Sequence, residues 1–291
     1  MEEKQFNFKS PKVIHRKSRK KLSVKGWFFL FGTFFGVALV VVAFMIASVV
    51  LAEPDDESIT VDSAESVDFV EEVKQLRGID ISEYLQGNYQ VVINLTDDFV
   101  ICRALSNKTV DLNCDRAYQY AKRQGKLLGV YFWGNPKVMT DPEAYAKRCL
   151  DETEGYVGEA VFFLDFEPAD GDYESMSPDW AFRWMQEFEK LSGVRPLIYL
   201  DSYMVQAKDW SRLVDEEYQL WLAKYGSDDG LNYGVSADTV GQWAGHLALH
   251  QYTTAGLGEQ GTLDLDVFFG SEDDWIQLAK RRSEGSVVDA D

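Results

Sequence analysis

The stretch of sequence that decides the fold is AVFFLDFE, residues 160–167. Val161 to Leu164 are four consecutive large apolar residues, and a continuous apolar run is typical of a strand that is covered on both faces, as in a parallel sheet. Asp165 and Glu167 are two residues apart, so on an extended chain both side chains point to one face, with Cα atoms roughly 6.5 Å apart. A buried strand is therefore predicted to end in two carboxylates that share one surface.

Seven further apolar runs of strand length surround this one and are separated from each other by amphipathic stretches. The eight candidate strands are 78–82, 99–104, 126–133, 160–167, 195–200, 218–225, 248–253 and 263–268. Strands that alternate with helices predict an α/β fold, with a parallel sheet and crossover helices. A complete TIM barrel takes about 250 residues. We therefore predict a compact, irregular TIM-like barrel whose late connections lack helices.

Helix boundaries are clearest in the middle of the chain. Asp141 before Pro142, and Ser177 before Pro178, combine an N-cap side chain with proline at the first helical position. Gly193 is placed to end the second of these helices. The apolar face predicted to pack in the core comprises Ala181, Trp184, Met185, Phe188 and Leu191.

The first 52 residues differ in composition from the rest. Residues 1–26 carry nine Lys and Arg against two Glu, residues 27–52 carry no charge, and the remainder has a net charge of −26. As a helix, 27–52 would span about 39 Å, enough to cross a hydrocarbon core of roughly 30 Å. We predict a basic cytoplasmic arm at 1–26 and a single transmembrane helix at 27–52. The chain after Ala52 is then outside, because cytoplasmic flanks are rich in Lys and Arg.

A cleaved secretory signal is the alternative interpretation of the same segment, because Ala52 is a small residue at a suitable cleavage position. The apolar run greatly exceeds the h-region of about 7–15 residues in such signals, which favours an uncleaved signal anchor. The predicted location is the cell membrane, with the folded part facing the cell wall, or secretion after cleavage near Ala52. The acidic residues of 53–75 predict a solvated linker. Residues 76–282 then form the folded domain, and 283–291 a flexible tail.

Carboxylates lie late in several of the candidate strands. Asp80 lies in the first, Asp165 and Glu167 in the fourth, and Asp264 with Asp266 in the eighth. Because the chemistry of such barrels sits at the carboxyl ends of the strands, we expect these acids to converge in one crevice. Mutual repulsion raises the pKa of one acid, which then keeps its proton near neutral pH. Cleavage of a glycosidic bond requires a protonated acid beside ionised ones.

Other chemistries have weaker support. Clustered oxygens also suit hard cations, but these acids lack EF-hand spacing and no phosphate-binding GxxxxGK[ST] loop is present. His246 and His250 are four apart, but the second falls in a candidate strand, so we predict structural histidines rather than metal ligands. No GxSxG elbow occurs. Cys102, Cys114 and Cys149 have no CxxC spacing and are predicted to be structural thiols. We expect no metal and no cofactor, and the acidic body argues against nucleic acid as a partner.

Aromatic residues also lie in or at the ends of the candidate strands. Tyr131, Tyr199, Trp221 and Tyr225 are placed to line a crevice at the strand ends. Because aromatic rings combine a large apolar face with polar groups at the edge, they suit binding of a sugar ring. We predict that these four residues bind substrate.

The ordered motifs resemble glycoside hydrolase family 25, the N-acetylmuramidase-type lysozymes. From Gly78 to Arg281 they are GIDIS followed by Gln86-Gly87, FVICRA, GVYFW, LDFE, PLIYL, LWLAKY, HQYTTAG and LDLDVFFG. The resemblance implies an irregular (β/α)5(β)3 barrel that hydrolyses the β-1,4 bond between N-acetylmuramic acid and N-acetylglucosamine. It implies no metal and no cofactor. The expected partners are peptidoglycan glycan strands and, through 27–52, the lipid bilayer, with the protein as a monomer.

The resemblance also implies roles for the acids. Glu167 is then the general acid, and Asp165 is either the nucleophile or the group that assists attack by the substrate's own acetamido group. Asp80 and Asp264 complete the acidic floor. The alternative function comes from a different class: a catalytically silent protein that binds or organises cell-wall glycan with the same groove.

The chain departs from the family pattern at several positions. No Asp-Trp follows Gln86-Gly87, so the first connection is predicted to be short. His250 stands where Trp is common, Phe132 where His is usual and Asp266 where Asn is frequent. Recognisable wall-binding repeats are missing from the sequence, and the membrane anchor is predicted to hold the enzyme near its substrate instead.

Overall fold

The computed structural model describes residues 75–85, 88–226, 235–256 and 263–282. The predicted arm at 1–26, the transmembrane helix at 27–52, nearly all of the linker and the tail at 283–291 lie outside the described residues. Among the helices in the described ranges, none has the length and hydropathy needed to cross a bilayer. The chain divides into two units after Phe69, and all of the described residues belong to the second unit.

One sheet organises the described residues. Its strands are β1 (Leu76–Ile81), β2 (Phe99–Ser106), β3 (Thr109–Val110), β4 (Leu127–Trp133), β5 (Val161–Asp165), β6 (Leu197–Asp201), β7 (Leu220–Ala223), β8 (Leu247–Thr253) and β9 (Asp264–Phe268). Strand β1 pairs with both β2 and β9, so eight strands close into a barrel in the order β1-β2-β4-β5-β6-β7-β8-β9. The short β3 forms a hairpin with β2. All eight predicted strands are confirmed. The short β3 was not predicted, because a strand of two residues carries no periodic signal.

The strand directions correct one sequence-based expectation. Strands β1, β2 and β4 to β8 run parallel, whereas β9 runs antiparallel to both β8 and β1. The prediction of a wholly parallel sheet is therefore wrong for the last strand. The ten residues 254–263 between β8 and β9 are too few for a parallel crossover, which takes about a dozen or more. As a result, the first residue of β9 lies at the same end of the barrel as the last residues of the parallel strands.

Helices surround the early part of the barrel. They are α1 (Tyr89–Leu95), α2 (Cys114–Arg123), α3 (Pro142–Thr153), α4 (Pro178–Ser192), α5 (Ser202–Ala207), α6 (Ser211–Asp215), α7 (Ala237–Val240) and α8 (Glu272–Ala279). Short 3-10 helices occupy Glu83–Leu85, Glu154–Tyr156, Tyr173–Ser175 and Gly241–Trp243. Helices thus follow the first five barrel strands. The described part of the connection from β7 to β8 contains one α-helix, the four-residue α7. This agrees with the predicted loss of helices from the late connections.

The predicted helix boundaries are confirmed. The Asp141 side chain accepts a hydrogen bond from the backbone N–H of Ala144 at 3.0 Å and begins α3. Ser177 caps α4 in the same way. Gly193 ends α4 with φ 74°, a left-handed conformation that glycine adopts without steric cost.

The predicted core face of α4 is correct except at its last position. Trp184 and Phe188 are fully buried, but Leu191 is 40% exposed. Ser192 is buried at the end of the helix instead. Successive residues are 100° apart around the helix axis, and this places Leu191 at the edge of the buried face.

Side chains fill the barrel interior. The inward-facing apolar residues include Leu76, Phe99, Ile101, Val161, Phe163, Leu197, Leu249 and Phe268. The interior is tight at Gly78, where an added Cβ would lie 2.2 Å from a ring carbon of Phe99. The three cysteines are buried and free, as predicted.

Trp275 of α8 closes the amino-terminal end of the barrel. Its ring stacks on Phe99 with the centroids 4.6 Å apart, and it meets Phe268 edge-on at 5.2 Å. Its indole N–H donates to the backbone oxygen of Leu128 at 3.1 Å. Apolar packing therefore occupies this end, and the polar groups inside the barrel lie at the opposite, carboxyl-terminal end.

We expect Trp275→Ala to lower the free energy of unfolding by about 3–5 kcal/mol, because it leaves a cavity beside the rings of Phe99 and Phe268 and removes the hydrogen bond to Leu128. Urea denaturation measures this change. Ile276→Ala on the same helix is the matched control. Ile276 is 41% exposed, so its loss is expected to change the free energy of unfolding by about 0.5 kcal/mol or less. Similar values for the two variants would contradict the role of Trp275.

Candidate active site

Five carboxyl groups meet at the carboxyl-terminal end of the barrel. Asp165 is the last residue of β5 and Glu167 follows two residues later, while Asp80 lies near the end of β1. Asp264 and Asp266 reach the same place from β9, because that strand runs in the opposite direction. We call these five residues the acidic cluster.

Strand register brings the outer members of the cluster together. Asp80 of β1 lies opposite Asp264 of β9, and Asp266 is the diagonal neighbour on the same face. Asp165 lies close enough to Glu167, Asp80 and Asp264 for their charges to raise its pKa, in addition to the larger effect of burial. The five acids singled out in the sequence therefore lie in one crevice.

Burial, followed by mutual repulsion, shifts the acidity of the whole cluster. Burial first, and then the charges of Asp201 and Asp264, raise the pKa of Glu167 to about 7. Burial raises the pKa of Asp264 to about 6. Asp80 and Asp165 have pKa values well above the usual range, again chiefly because of burial. At neutral pH the cluster therefore holds protons as well as negative charges.

A hydrogen-bond network holds Asp80. Gln251 on β8 donates its amide N–H to Oδ2 of Asp80 at 2.6 Å. The amide oxygen of Gln251 accepts hydrogen bonds from the hydroxyls of Tyr199 at 2.9 Å and Tyr225 at 2.8 Å. Because its oxygen is fixed by two donors, Gln251 has to present its N–H groups to the carboxylate.

Three of the four predicted substrate-binding aromatics lie below the crevice. Tyr131, Tyr199 and Trp221 are 7%, 6% and 2% exposed, and the ring of Trp221 packs against those of Tyr131, Phe163 and Tyr199. These rings therefore form the floor of the site and are not displayed for stacking on a sugar. Tyr225, at 49% exposure, is the member of the four whose ring is open to solvent.

Two oxygens in the cluster, Oδ1 of Asp165 and Oδ2 of Asp266, are buried and accept no hydrogen bond within the described residues. Buried polar atoms are nearly always hydrogen-bonded, and exceptions cluster at functional sites. Arg103 of β2, which is paired with Glu83 at 2.9 Å, supplies positive charge that partly offsets the rise in the pKa of Asp165 caused by burial.

Sequence reasoning missed several groups around the crevice. Asp201 ends β6 and accepts a hydrogen bond from the hydroxyl of Tyr173 at 2.9 Å. The rings of Tyr173 and Tyr203 lie 4.4 Å apart, and Tyr203 is 58% exposed. The rule that identified the other strand-end acids also applies to Asp201, one residue past the candidate strand 195–200. Tyr173 begins a short 3-10 helix, and Tyr203 is the second residue of α5. Neither position carries a periodic signal in the sequence.

The backbone at Glu167 is fixed from a neighbouring strand. Trp133 at the end of β4 donates its indole N–H to the backbone oxygen of Glu167 at 3.1 Å. A side chain that lies beyond the end of β5 thus gains a defined position next to Asp165.

The histidine and metal predictions can be compared with the same geometry. His250 is 3% exposed and its Nε2 bonds to the backbone oxygen of Lys224 at 2.7 Å, which confirms that it is a structural histidine. In the part of the chain that the structure describes, no group of three or more His, Cys, Asp or Glu side chains is arranged to hold a metal ion.

Known proteins share this architecture. The muramidase from Trichobolus zukalii is 24% identical, with a TM-score of 0.54, and the match covers 70% of this chain and 99% of that chain. The bacterial lysozyme from Streptomyces coelicolor is 19% identical, with a TM-score of 0.57, covering 70% and 96%. A family GH25 lysozyme from Aspergillus fumigatus is 19% identical, with a TM-score of 0.52, covering 71% and 100%. No curated protein matches the chain in sequence.

The family model for glycosyl hydrolases family 25 matches residues 79–259, more than half of the chain. The matched region runs from β1 through β8 and includes Asp80, Asp165 and Glu167, while Asp264 and Asp266 lie just beyond it. This chain belongs to glycosyl hydrolases family 25.

Proposed function

We propose that this protein is a peptidoglycan hydrolase, a lysozyme that cleaves the β-1,4 bond between N-acetylmuramic acid and N-acetylglucosamine. Family membership supports hydrolysis of a glycosidic bond, and the similar solved structures include muramidases and lysozymes. The observation that carries the proposal is the pairing of Glu167 with Asp165 in a buried acidic crevice. Glycosidases use such a pair, in which one carboxyl group is protonated and the other is ionised.

Glu167 is the general acid in this proposal. Its pKa of about 7 leaves a large protonated fraction at neutral pH, and it is half-buried next to the crevice. The group can therefore donate a proton to the leaving oxygen as the glycosidic bond breaks.

Asp165 acts on the other side of the reaction. Its carboxylate either attacks the anomeric carbon or orients the acetamido group of the substrate for that attack. Asp80 and Asp264 add negative charge that stabilises the oxocarbenium-like transition state.

We expect Glu167→Gln to reduce hydrolysis at least about 100-fold, because the amide keeps the shape of the side chain but has no acidic proton to give. Release of muropeptides and new reducing ends from purified peptidoglycan measures the reaction, and mass spectrometry of the new reducing sugar identifies the bond. Glu152→Gln, an exposed position on α3, is the matched control.

Full activity in Glu167→Gln would remove Glu167 from the acid role. A wild-type protein that binds cell wall yet releases no reducing ends would instead support the alternative function, a silent glycan-binding or scaffold protein.

The pH dependence follows from the acid role. We expect kcat/KM to fall about tenfold per pH unit above about pH 7, as Glu167 loses its proton. Because the charge of Asp201 raises the pKa of Glu167, Asp201→Asn should move this alkaline limb to lower pH. Asp215→Asn, exposed at the end of α6, should leave the limb in place. An unmoved limb in Asp201→Asn would exclude Asp201 as a source of the raised pKa.

We also propose that residues 27–52 anchor the enzyme in the membrane, with the barrel outside. The uncharged run and its basic flank support this. Cell fractionation with N-terminal sequencing is expected to find the chain in the membrane with its first residues intact. A soluble mature chain that begins at Glu53 would contradict anchoring.

A further inference from the structure

Asp266 is the most deeply buried member of the acidic cluster, and the proposed reaction does not use it. The residue is 0% exposed. Its Oδ1 accepts a hydrogen bond from the indole N–H of Trp221 at 2.8 Å. Its Oδ2 is buried without an N–H or hydroxyl donor in the described part of the chain. Burying an ionised carboxylate in this way is costly, so the geometry requires compensation at Oδ2.

A second carboxyl group, that of Asp80, lies beside Asp266. Asp80 and Asp266 are diagonal neighbours across β1 and β9, and Gly78, which lies opposite Asp266, places no side chain between them. The two carboxyl groups are within hydrogen-bonding reach of each other. Two ionised carboxylates cannot hydrogen-bond, so the contact requires a proton.

The surroundings decide where that proton resides. Strand β7 presents the neutral donor of Trp221 to Asp266, and β8 presents Gln251, which donates to Oδ2 of Asp80. The other charged groups near the pair are Asp264 on β9 and the two acids at and just after the end of β5, Asp165 and Glu167. Arg103 on β2 is engaged with Glu83 and Asp111, and His250 on β8 bonds to the Lys224 backbone. Each carboxyl group accepts one hydrogen bond from a neutral donor, and Asp80 is 6% exposed whereas Asp266 is 0% exposed. A charge is therefore less costly on Asp80 than on the more deeply buried Asp266.

We propose that Asp80 and Asp266 share one proton, which resides on Oδ2 of Asp266 and is donated to Asp80. Asp266 then acts as a neutral hydrogen-bond donor and is a positioning residue that holds an ionised Asp80 in the crevice. An asparagine at this position would offer the same acceptor to Trp221 and the same donor to Asp80. The shared proton is independent of any catalytic role, while the positioning role rests on the proposed function.

The shared proton predicts the direction in which the stability of the folded protein changes with pH. Burial first, and then the charge of Asp80, raise the pKa of Asp266 well above its usual value of about 3.9. A group with a raised pKa in the folded state contributes stability that is complete below the unfolded pKa. That contribution is lost as the pH rises through the folded pKa.

The decisive experiment measures the Tm of the full-length protein in detergent at about pH 5 and about pH 9. We expect the Tm of the wild type to fall at the higher pH, and the fall to be reduced by about half or more in Asp266→Asn, because the amide makes both hydrogen bonds without a titrating proton. Asp151→Asn removes an exposed carboxylate on α3 that pairs with Lys147 and should show the wild-type fall. An equal fall in Asp266→Asn would overturn the shared proton.

A coupling measurement tests whether the proton belongs to the pair. Asp80→Asn should also reduce the pH dependence of the Tm, and the double variant with Asp266→Asn should reduce it by less than the sum of the two single variants. Independent sites would give additive effects instead, and additivity would contradict the proposal. These readouts require no enzymatic activity, so a failure of the proposed function leaves them intact.

The positioning role is tested by rescue with the conservative variant. Asp266→Val removes the donor with little change in volume and should lower kcat/KM on peptidoglycan about tenfold or more at about pH 6, because Asp80 loses a charge-assisted hydrogen bond. Asp266→Asn should restore most of that loss. Equal activities of the two variants would exclude positioning of Asp80 by Asp266, even where the stability data support the shared proton.

Discussion

Electrostatic repulsion among buried carboxyl groups is the constraint on which the function of this barrel depends. Five acids occupy one mouth, and burial raises the pKa of each of them. Such an arrangement opposes folding unless protons, neutral donors and a rigid scaffold offset it. The donors are present as Gln251 and Trp221, and the scaffold is the closed ring of strands.

The two ends of the barrel offset this repulsion in different ways. At the amino-terminal end, Trp275 and the aromatic side chains around it bury a large apolar surface, which supplies the favourable free energy. At the carboxyl-terminal end, Tyr199 and Trp221 are also buried, but each gives its polar atom to the network that supports the acids. Aromatic residues thus contribute apolar packing at the amino-terminal end and orient the acids at the carboxyl-terminal end.

Much of this arrangement follows from local sequence patterns. The eight barrel strands are visible because continuous apolar runs and their spacing report directly on burial. Asp80, Asp165 and Glu167 are visible because they lie at or just past the ends of such runs. The direction of β9 depends on connection length rather than on its own residues, and the roles of Tyr131, Tyr199 and Trp221 depend on which rings cover them. Gln251 carries no local signal at all, since its importance comes from contacts with residues far away in the chain.

The antiparallel course of β9 also determines where the folded domain meets the rest of the polypeptide. Leu76, which begins β1, lies opposite Phe268, which ends β9, so both ends of the barrel's chain leave from the mouth that Trp275 plugs. The opposite mouth, with its acids, holds neither end of the described residues. Fusion partners or affinity tags joined at either end of the domain therefore start on the far side from the acidic crevice, and circular permutants that join these two ends preserve the crevice.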